Sequence, residues 1–237
     1  KSMIKKAMIL AAGFGRRLHP LTLNCPKPLL KIGNETLLSN TIKFLEQYGI
    51  KKVVINVHYL SDQIINYIKK NQFNLEIILV EEKDKILNTG GGILNAVHNF
   101  LNEPFLVINP DTIWNSSYLE ELRLMEKEFF INRENKCFLL IVNNKKSFDQ
   151  SLKGDFNLEN KLINRKNKEN LKYIYTGVQI LKPDIFQQFS LKIFSLNKIW
   201  DHLIQNNILF GKESDIEFLH VSTLNIYKRL LEKYFKH

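Results

Sequence analysis

Two cysteines in 237 residues, Cys25 and Cys137, form no metal-binding or disulfide pattern, which excludes a cystine-stapled fold and suits a reducing compartment. No stretch approaches the roughly 18 to 20 uninterrupted apolar residues of a membrane span. The apolar run from Ala7 is too short to be the core of a signal peptide, so a cytoplasmic location without membrane attachment is expected. No internal repeat is present. The formal net charge of +10 raises the question of nucleic acid, but lysine is scattered among asparagine and isoleucine. No basic helix face and no aromatic-basic interleaving result, so nucleic acid is not an expected partner. With 44% apolar residues the chain can bury a sizeable core, and its length suits a single α/β domain with an insertion.

What is there is concentrated first in residues 7–30, AMILAAGFGRRLHPLTLNCPKPLL. A short apolar run ending in small residues predicts a buried parallel strand that runs into a functional loop. Ala11, Ala12, Gly13 and Gly15 leave the backbone nearly bare after Leu10, so main-chain N–H groups of Leu10 and these residues can approach one anion, and Arg16, Arg17 and Lys27 add positive charge around it. Two better-known glycine loops are excluded. A dinucleotide fingerprint needs a third glycine where Leu18 stands, before a helix that His19-Pro20 interrupts, and a Walker loop needs Gly-Lys-Ser/Thr.

Downstream, strands and helices alternate. Residues 53–55, 75–80 and 105–108 read as strands. Helices are predicted after Asn34, ending at Gly49, and after Ser61. Such alternation gives a parallel sheet covered on both faces, with ligands bound beyond the carboxyl ends of the strands. The residues at those ends are therefore candidates: Asn56 after the second strand, Glu82 after the third, and Asp111 after the fourth. Glu82 lies near the base or ribose, or is solvated. Thr89-Gly90-Gly91-Gly92 opens a helix and permits close backbone approach to a flat ligand, or simply forms a tight turn. Asp111, at the end of a core strand, is placed to hold Mg²⁺. Beyond it, a helix is expected over 117–130, a strand over 137–142, hairpin-like connections over 143–172, and a strong strand over 173–181 interrupted by Thr176-Gly177. A helix capped by Ser195, a last strand over 216–221 and a terminal helix from Thr223 complete the chain. Trp200 sits on the apolar stripe and reads as core.

Leu-Ala-Ala-Gly-x-Gly-x-Arg, then Pro20-Leu21-Thr22 and Pro26-Lys27-Pro28-Leu29, resembles the signature of the sugar-1-phosphate nucleotidyltransferases. Thr176-Gly177-Val178-Gln179 and Val221-Ser222-Thr223 extend the likeness nearly end to end. The chain looks most like the short uridylyltransferases that act on N-acetylmuramate 1-phosphate, with mannose-1-phosphate guanylyltransferases as near neighbours. The resemblance implies a Rossmann-like, glycosyltransferase-A-type α/β fold in one domain, with residues 1–142 as the nucleotide half and 143–237 as the sugar-phosphate side and terminal helix. It implies a nucleoside triphosphate and a sugar 1-phosphate as partners, Mg²⁺ (Mn²⁺ as a second choice) as cofactor, and a monomer or homodimer. By the same resemblance Arg17 holds the β/γ-phosphates, Lys27 the α-phosphate and sugar phosphate, and Asp111 the metal. Thr89, Gly90 and Gly91 lie along the base, while Asp155, Thr176 and Gly177 are candidate sugar contacts.

One departure stands out. Where the family carries a second metal-binding aspartate, this chain has His220. His220 binds a softer metal, or donates to a phosphate while Asp111 holds Mg²⁺ alone, or leaves the site impaired; the second is favoured because Mg²⁺ commonly uses one or two carboxylates plus water and phosphates. Two rival classes remain, a cytidylyltransferase for a non-sugar alcohol phosphate and a non-catalytic nucleotide-binding protein. The first would need an aromatic or acidic pocket for a cation, and the second could lose Lys27 or Asp111, which are both present.

Overall fold

A computed structural model describes residues 4–190 and 192–236. Strands β1 (Lys6–Ala11), β4 (Lys52–Val57), β5 (Glu76–Glu81), β6 (Phe105–Ile108), β7 (Cys137–Asn143), β8 (Asn157–Glu159), β9 (Leu162–Asn164), β10 (Tyr173–Leu181) and β11 (Phe210–Ser214) form one sheet. Its order is β5-β4-β1-β6-β10-β7-β11-β9-β8. Two-residue strands β2 (Lys31–Ile32) and β3 (Glu35–Thr36) make a separate hairpin. Pairing is parallel from β5 through β6, and only β10 and β9 run against the common direction. This is the mostly parallel central sheet of an α/β fold. No helix among the described residues is long and apolar enough to cross a membrane.

Strand periodicity explains how both faces are covered. Ala7 and Ile9 of β1 point to one core, where α1 (Leu37–Tyr48) contributes Leu38, Ile42 and Leu45 and α4 (Ser117–Ile131) contributes Leu122, Met125 and Phe129. Between them in the chain, α2 (Ser61–Lys70) adds Ile64 to the same core. Met8 points the other way, to a core with Ile93 and Ala96 of α3 (Asn88–Ala96) and Ile199, Trp200 and Leu203 of α5 (Asn197–Gln205). The expected core role of Trp200 agrees with this; its indole N–H donates to Gln179 Oε1 at 3.1 Å. A third cluster joins Ile226, Tyr227 and Leu230 of α6 (Leu224–Tyr234) to Leu18 and Leu30, so the terminal helix braces the loop that follows β1.

Some element ends differ from expectation. Asn34 sits in the β2–β3 hairpin, and α1 is capped instead by Thr36, whose hydroxyl accepts from Ser39 N while Ser39 Oγ accepts from Thr36 N. Ser61 is the first residue of α2, not its cap. Likewise Leu196, not Ser195, precedes α5. Gly49 closes α1 at φ 109°, and Thr223 caps α6, as the sequence predicts. The predicted strand over 216–221 is not part of the sheet. Its residues make isolated bridges, Phe218 to Ser147 and His220 to Thr112, whereas the sheet strand is Phe210–Ser214. That segment has one large apolar residue and no clean alternation, so pairing with β7, not its own pattern, makes it a strand.

Candidate active site

A cavity of about 480 Å³ opens beyond the carboxyl ends of β1 and β6. The loop from Leu10 to Leu18 forms one wall, Lys27 and Asn109 to Asp111 another, and Asn56, Ile86, Asn88 and Thr89 the third. Each part of the wall has a local reason for its shape. Gly15 adopts φ 63°, and a Cβ there would come within 3.1 Å of Lys27 Cβ and 3.2 Å of Thr22 Cγ2. Thr22 also donates to Gly15 O at 2.6 Å. Gly15 therefore lets the turn carrying Lys27 close on the loop. Gly13, by contrast, has nothing within 4 Å of where a Cβ would stand, so its bare backbone faces open space.

Asp111 is the charged centre. Its Oδ2 accepts from Lys27 Nζ at 2.9 Å, and its Oδ1 lies 3.6 Å from His220 Nδ1. Burial opposes ionisation of this carboxyl, but the charge of Lys27, the nearby His220 and the Lys27 hydrogen bond outweigh it and bring its pKa to about 2. Burial also lowers the pKa of His220; Asp111 and Asp149 work against that, Lys27 and Arg17 with it. The main chain fixes this facing pair: Ile113 N donates to Leu219 O at 2.9 Å and Val221 N to Asp111 O at 2.8 Å. Asp111 Oδ1 and His220 Nδ1 are buried and have no hydrogen-bond partner among the described residues. An unpaired, ionised oxygen at the cavity suits a divalent cation, although no group of three or more His, Cys, Asp or Glu residues able to hold a metal exists among the described residues. Any such ion therefore takes its remaining donors from substrate phosphate and water.

Arg16 and Arg17 are both exposed on the cavity wall, and Arg16 stacks over the Phe14 ring at 4.9 Å. Leu10, Ala11, Ala12, Gly13, Gly15 and Asn56 all line the cavity. Ala11 N, however, already donates to Asn56 Oδ1 at 2.9 Å. Asn56 Nδ2 donates in turn to Glu82 Oε2 at 2.8 Å, and Glu82 Oε1 accepts from Leu87 N at 2.8 Å. Glu82 is thus a buried strut between the β1 and β4 ends and the segment before α3, neither solvated nor lining the cavity.

The glycine-rich helix start divides. Thr89 lines the cavity, and its Oγ1 accepts from Leu196 N at 2.8 Å. Gly90 and Gly91 are buried outside the cavity lining and pack against the protein on the side where a side chain would stand. A Cβ on Gly90 would stand 2.4 Å from the Phe194 ring, and one on Gly91 2.3 Å from Lys192 O. Gly91 N donates to Phe194 O at 3.0 Å. On that side the close approach is made by the segment before α5. Asn88, absent from the sequence-derived candidates, reaches the cavity at φ 65°; an asparagine before such glycines, tolerant of that conformation, was the available signal.

The three candidate sugar contacts also stand outside this cavity's lining. Thr176 is fully buried, its hydroxyl donating to Leu140 O at 2.8 Å while its carbonyl accepts from Thr112 Oγ1 at 2.7 Å. Gly177, at φ 105°, leaves 3.2 Å between its missing Cβ and both Asn109 Cβ and Thr112 Oγ1. It lets the β6 end, and hence Asp111, pack against an irregular stretch of β10. Asp155 Oδ2 accepts from Tyr175 N at 2.8 Å. Thr176 and Gly177 thus pack against the segment that carries Asp111, while Asp155 anchors the main chain of β10 at Tyr175.

Comparison with known proteins follows the same outline. Residues 6–149, more than half of the chain, match the nucleotidyl transferase family. An N-acetylmuramate alpha-1-phosphate uridylyltransferase from Caulobacter vibrioides is 28% identical over 222 residues, covering 92% of this chain and 91% of that protein. A probable mannose-1-phosphate guanylyltransferase 1 from Oryza sativa subsp. japonica is 27% identical over 87% of this chain, and the bifunctional protein GlmU of Methanococcus maripaludis 33% identical over 76%. This chain spans only 58% and 41% of those two proteins. Among solved structures, HddC from Yersinia pseudotuberculosis superposes with a TM-score of 0.77 at 22% identity, over 98% of this chain and all of that one. The UTP-bound UGPase from Acinetobacter baumannii superposes at 0.79 and 17%, over 98% of this chain and 93% of that one.

Proposed function

This chain belongs to the sugar-1-phosphate nucleotidyltransferases, and within that family we propose that it transfers uridylyl from UTP to N-acetylmuramate 1-phosphate, releasing pyrophosphate. The reaction class rests on one observation: a backbone-bare loop, Arg17, Lys27 and Asp111 converge on a single cavity. The choice of base and sugar rests on the length of the match to the Caulobacter protein, which leaves little of either chain uncovered.

The chemistry asks little of acid-base groups. A sugar phosphate has a second pKa of about 6, so its oxygen is already an anionic nucleophile at neutral pH. Catalysis then depends on holding two polyanions in line and stabilising charge that develops on the α-phosphate and the leaving pyrophosphate. In this reading Arg17 holds the leaving phosphates, Lys27 the α-phosphate and the attacking sugar phosphate, and the bare amides around Gly13 supply further donors. Thr89 and Asn88 border the base. Asp111 holds a divalent cation, which supplies neutralisation of phosphate charge when bound.

The test is a panel of four nucleoside triphosphates against N-acetylmuramate, N-acetylglucosamine, mannose and glucose 1-phosphates, read by pyrophosphate release. UTP with N-acetylmuramate 1-phosphate is expected to give the highest kcat/KM. A guanylyltransferase acting on mannose 1-phosphate is the second reading, supported by the rice relative; a GTP-mannose optimum would replace the first with it.

A further inference from the structure

Two donors of different chemistry face each other at the buried edge of this site, where Asp111 lines the cavity and His220, outside the lining, faces its Oδ1. Asp111 Oδ1 and His220 Nδ1 stand 3.6 Å apart, and neither has a hydrogen-bond partner among the described residues. A ring N–H donating to a carboxylate would close to about 2.8 Å. At the longer separation the contact is not a hydrogen bond. If the ring carries its proton on Nε2, two lone pairs confront each other, an arrangement that a cation between them relieves. Two donors about 2.1 Å from one ion lie about 3.0 Å apart at a right angle and about 3.4 Å at a tetrahedral angle. The observed gap is within a few tenths of an ångström of that range.

The ring has little freedom to leave. Thr112 bridges His220 through the main chain, and the Phe218 ring lies parallel to the imidazole with centroids 5.4 Å apart. The other carboxylate oxygen of Asp111 is engaged by Lys27, so Oδ1 is the one left for an ion.

Resting on the functional reading above, we infer that Asp111 and His220 together form a mixed oxygen-nitrogen pair that selects a transition-series divalent cation such as Mn²⁺ or Co²⁺ over Mg²⁺. Mg²⁺ is a hard ion held almost entirely by oxygen, whereas imidazole suits the later divalent metals. With Lys27 already balancing the charge of Asp111, the protein offers no net negative pair, and the nucleoside triphosphate brings the remaining donors. This assigns His220 direct ligation, in place of the expected hydrogen bond to a phosphate.

Pulsed electron paramagnetic resonance of the full chain with Mn²⁺, alone and with each of the four nucleoside triphosphates, tests this without turnover. The expected result is a directly bound nitrogen coupling that changes when the protein is labelled with ¹⁵N-histidine, which also separates imidazole from purine nitrogen and needs no substitution. His220→Asp is expected to abolish the coupling and lower the ratio of Mg²⁺ to Mn²⁺ dissociation constants about tenfold or more, as replacing nitrogen by oxygen should. Bound Mn²⁺ without histidine coupling, or an unchanged ratio in a folded His220→Asp protein, would overturn the inference. If none of the four nucleotides binds, the functional reading falls by itself, and the spectrum with Mn²⁺ alone still decides the ligand set.

Discussion

Lys27 Nζ and Asp111 Oδ2, from residues 84 positions apart, meet at 2.9 Å in the wall of the cavity. The side chains are only 15% and 23% exposed, so each is the other's principal neutralising partner in a place where water helps little. The pair ties the turn after Pro26 to the end of β6, and its two members belong to two different motifs of the sequence.

Lys27→Ala is therefore expected to do two separable things. Turnover should fall by two orders of magnitude or more, the size of effect seen when a preorganised electrostatic group is removed. Stability should also fall, by about 1–3 kcal/mol, because an ionised carboxylate is left half-buried without its partner. Combining it with Asp111→Asn should recover most of the stability and none of the activity. Thermal melts beside a pyrophosphate-release assay read both. A Lys27→Ala protein as active as its parent would remove Lys27 from the catalytic set.

Glu82 makes a different prediction, since it touches chain and not cavity. Its carboxylate gathers Asn56 Nδ2 and Leu87 N, and Asn56 in turn accepts from Ala11 N. Glu82→Ala should cost about 1–3 kcal/mol through buried groups left unpaired. It should raise KM for the nucleotide about tenfold while kcat changes less, because the segment carrying Asn88 and Thr89 loses its anchor. A fall in kcat with KM unchanged would mean that Glu82 acts on the reacting phosphates instead.

The bare loop after β1 and the parallel strands β1, β4, β5 and β6 are legible because their evidence is local: apolar runs, bare backbone, then charge. The glycines were legible as close approaches but not as to what approaches. Nothing in Thr89-Gly90-Gly91 distinguishes a base from Phe194, which arrives from more than a hundred residues downstream. Gly177 is the same case, since a glycine in a strand announces a close approach and not that Asn109 and Thr112 make it, while Thr176 accepts from the Thr112 hydroxyl. His220 was placed by resemblance, but its distance from Asp111 depends on a bridge that no sequence pattern announces.

Two glycine substitutions convert that ambiguity into an experiment. Gly13→Ala adds a methyl where nothing lies within 4 Å, so its melting temperature should stay near the parent's while phosphate binding suffers from the methyl facing the cavity. Gly91→Ala places a methyl 2.3 Å from Lys192 O, a backbone atom, and should destabilise by about 1–3 kcal/mol through displacement of the segment before α5. If Gly91→Ala melted like the parent while losing nucleotide affinity, the ligand, not Lys192, would be what approaches that glycine.

Asp155 gives a prediction whose sign depends on pH. Burial raises its pKa, against the pull of the Tyr175 N–H and the Arg165 guanidinium. A carboxyl raised in the folded state favours folding in its protonated form: that contribution is fully present below the unfolded pKa and is lost as pH rises through the folded one. At neutral pH the folded protein therefore carries a charge it accommodates poorly. Asp155→Asn keeps an oxygen to accept from Tyr175 N and removes that charge. Its melting temperature should exceed the parent's at pH 7, with the advantage shrinking as pH falls through the carboxylate range and gone near pH 3. The comparison of melts at pH 3, 5 and 7 checks it, and turnover on a sugar 1-phosphate serves as the second readout. An Asn variant less stable than the parent at pH 7, or one whose KM for the sugar phosphate alone rises sharply, would return Asp155 to the role of a sugar contact.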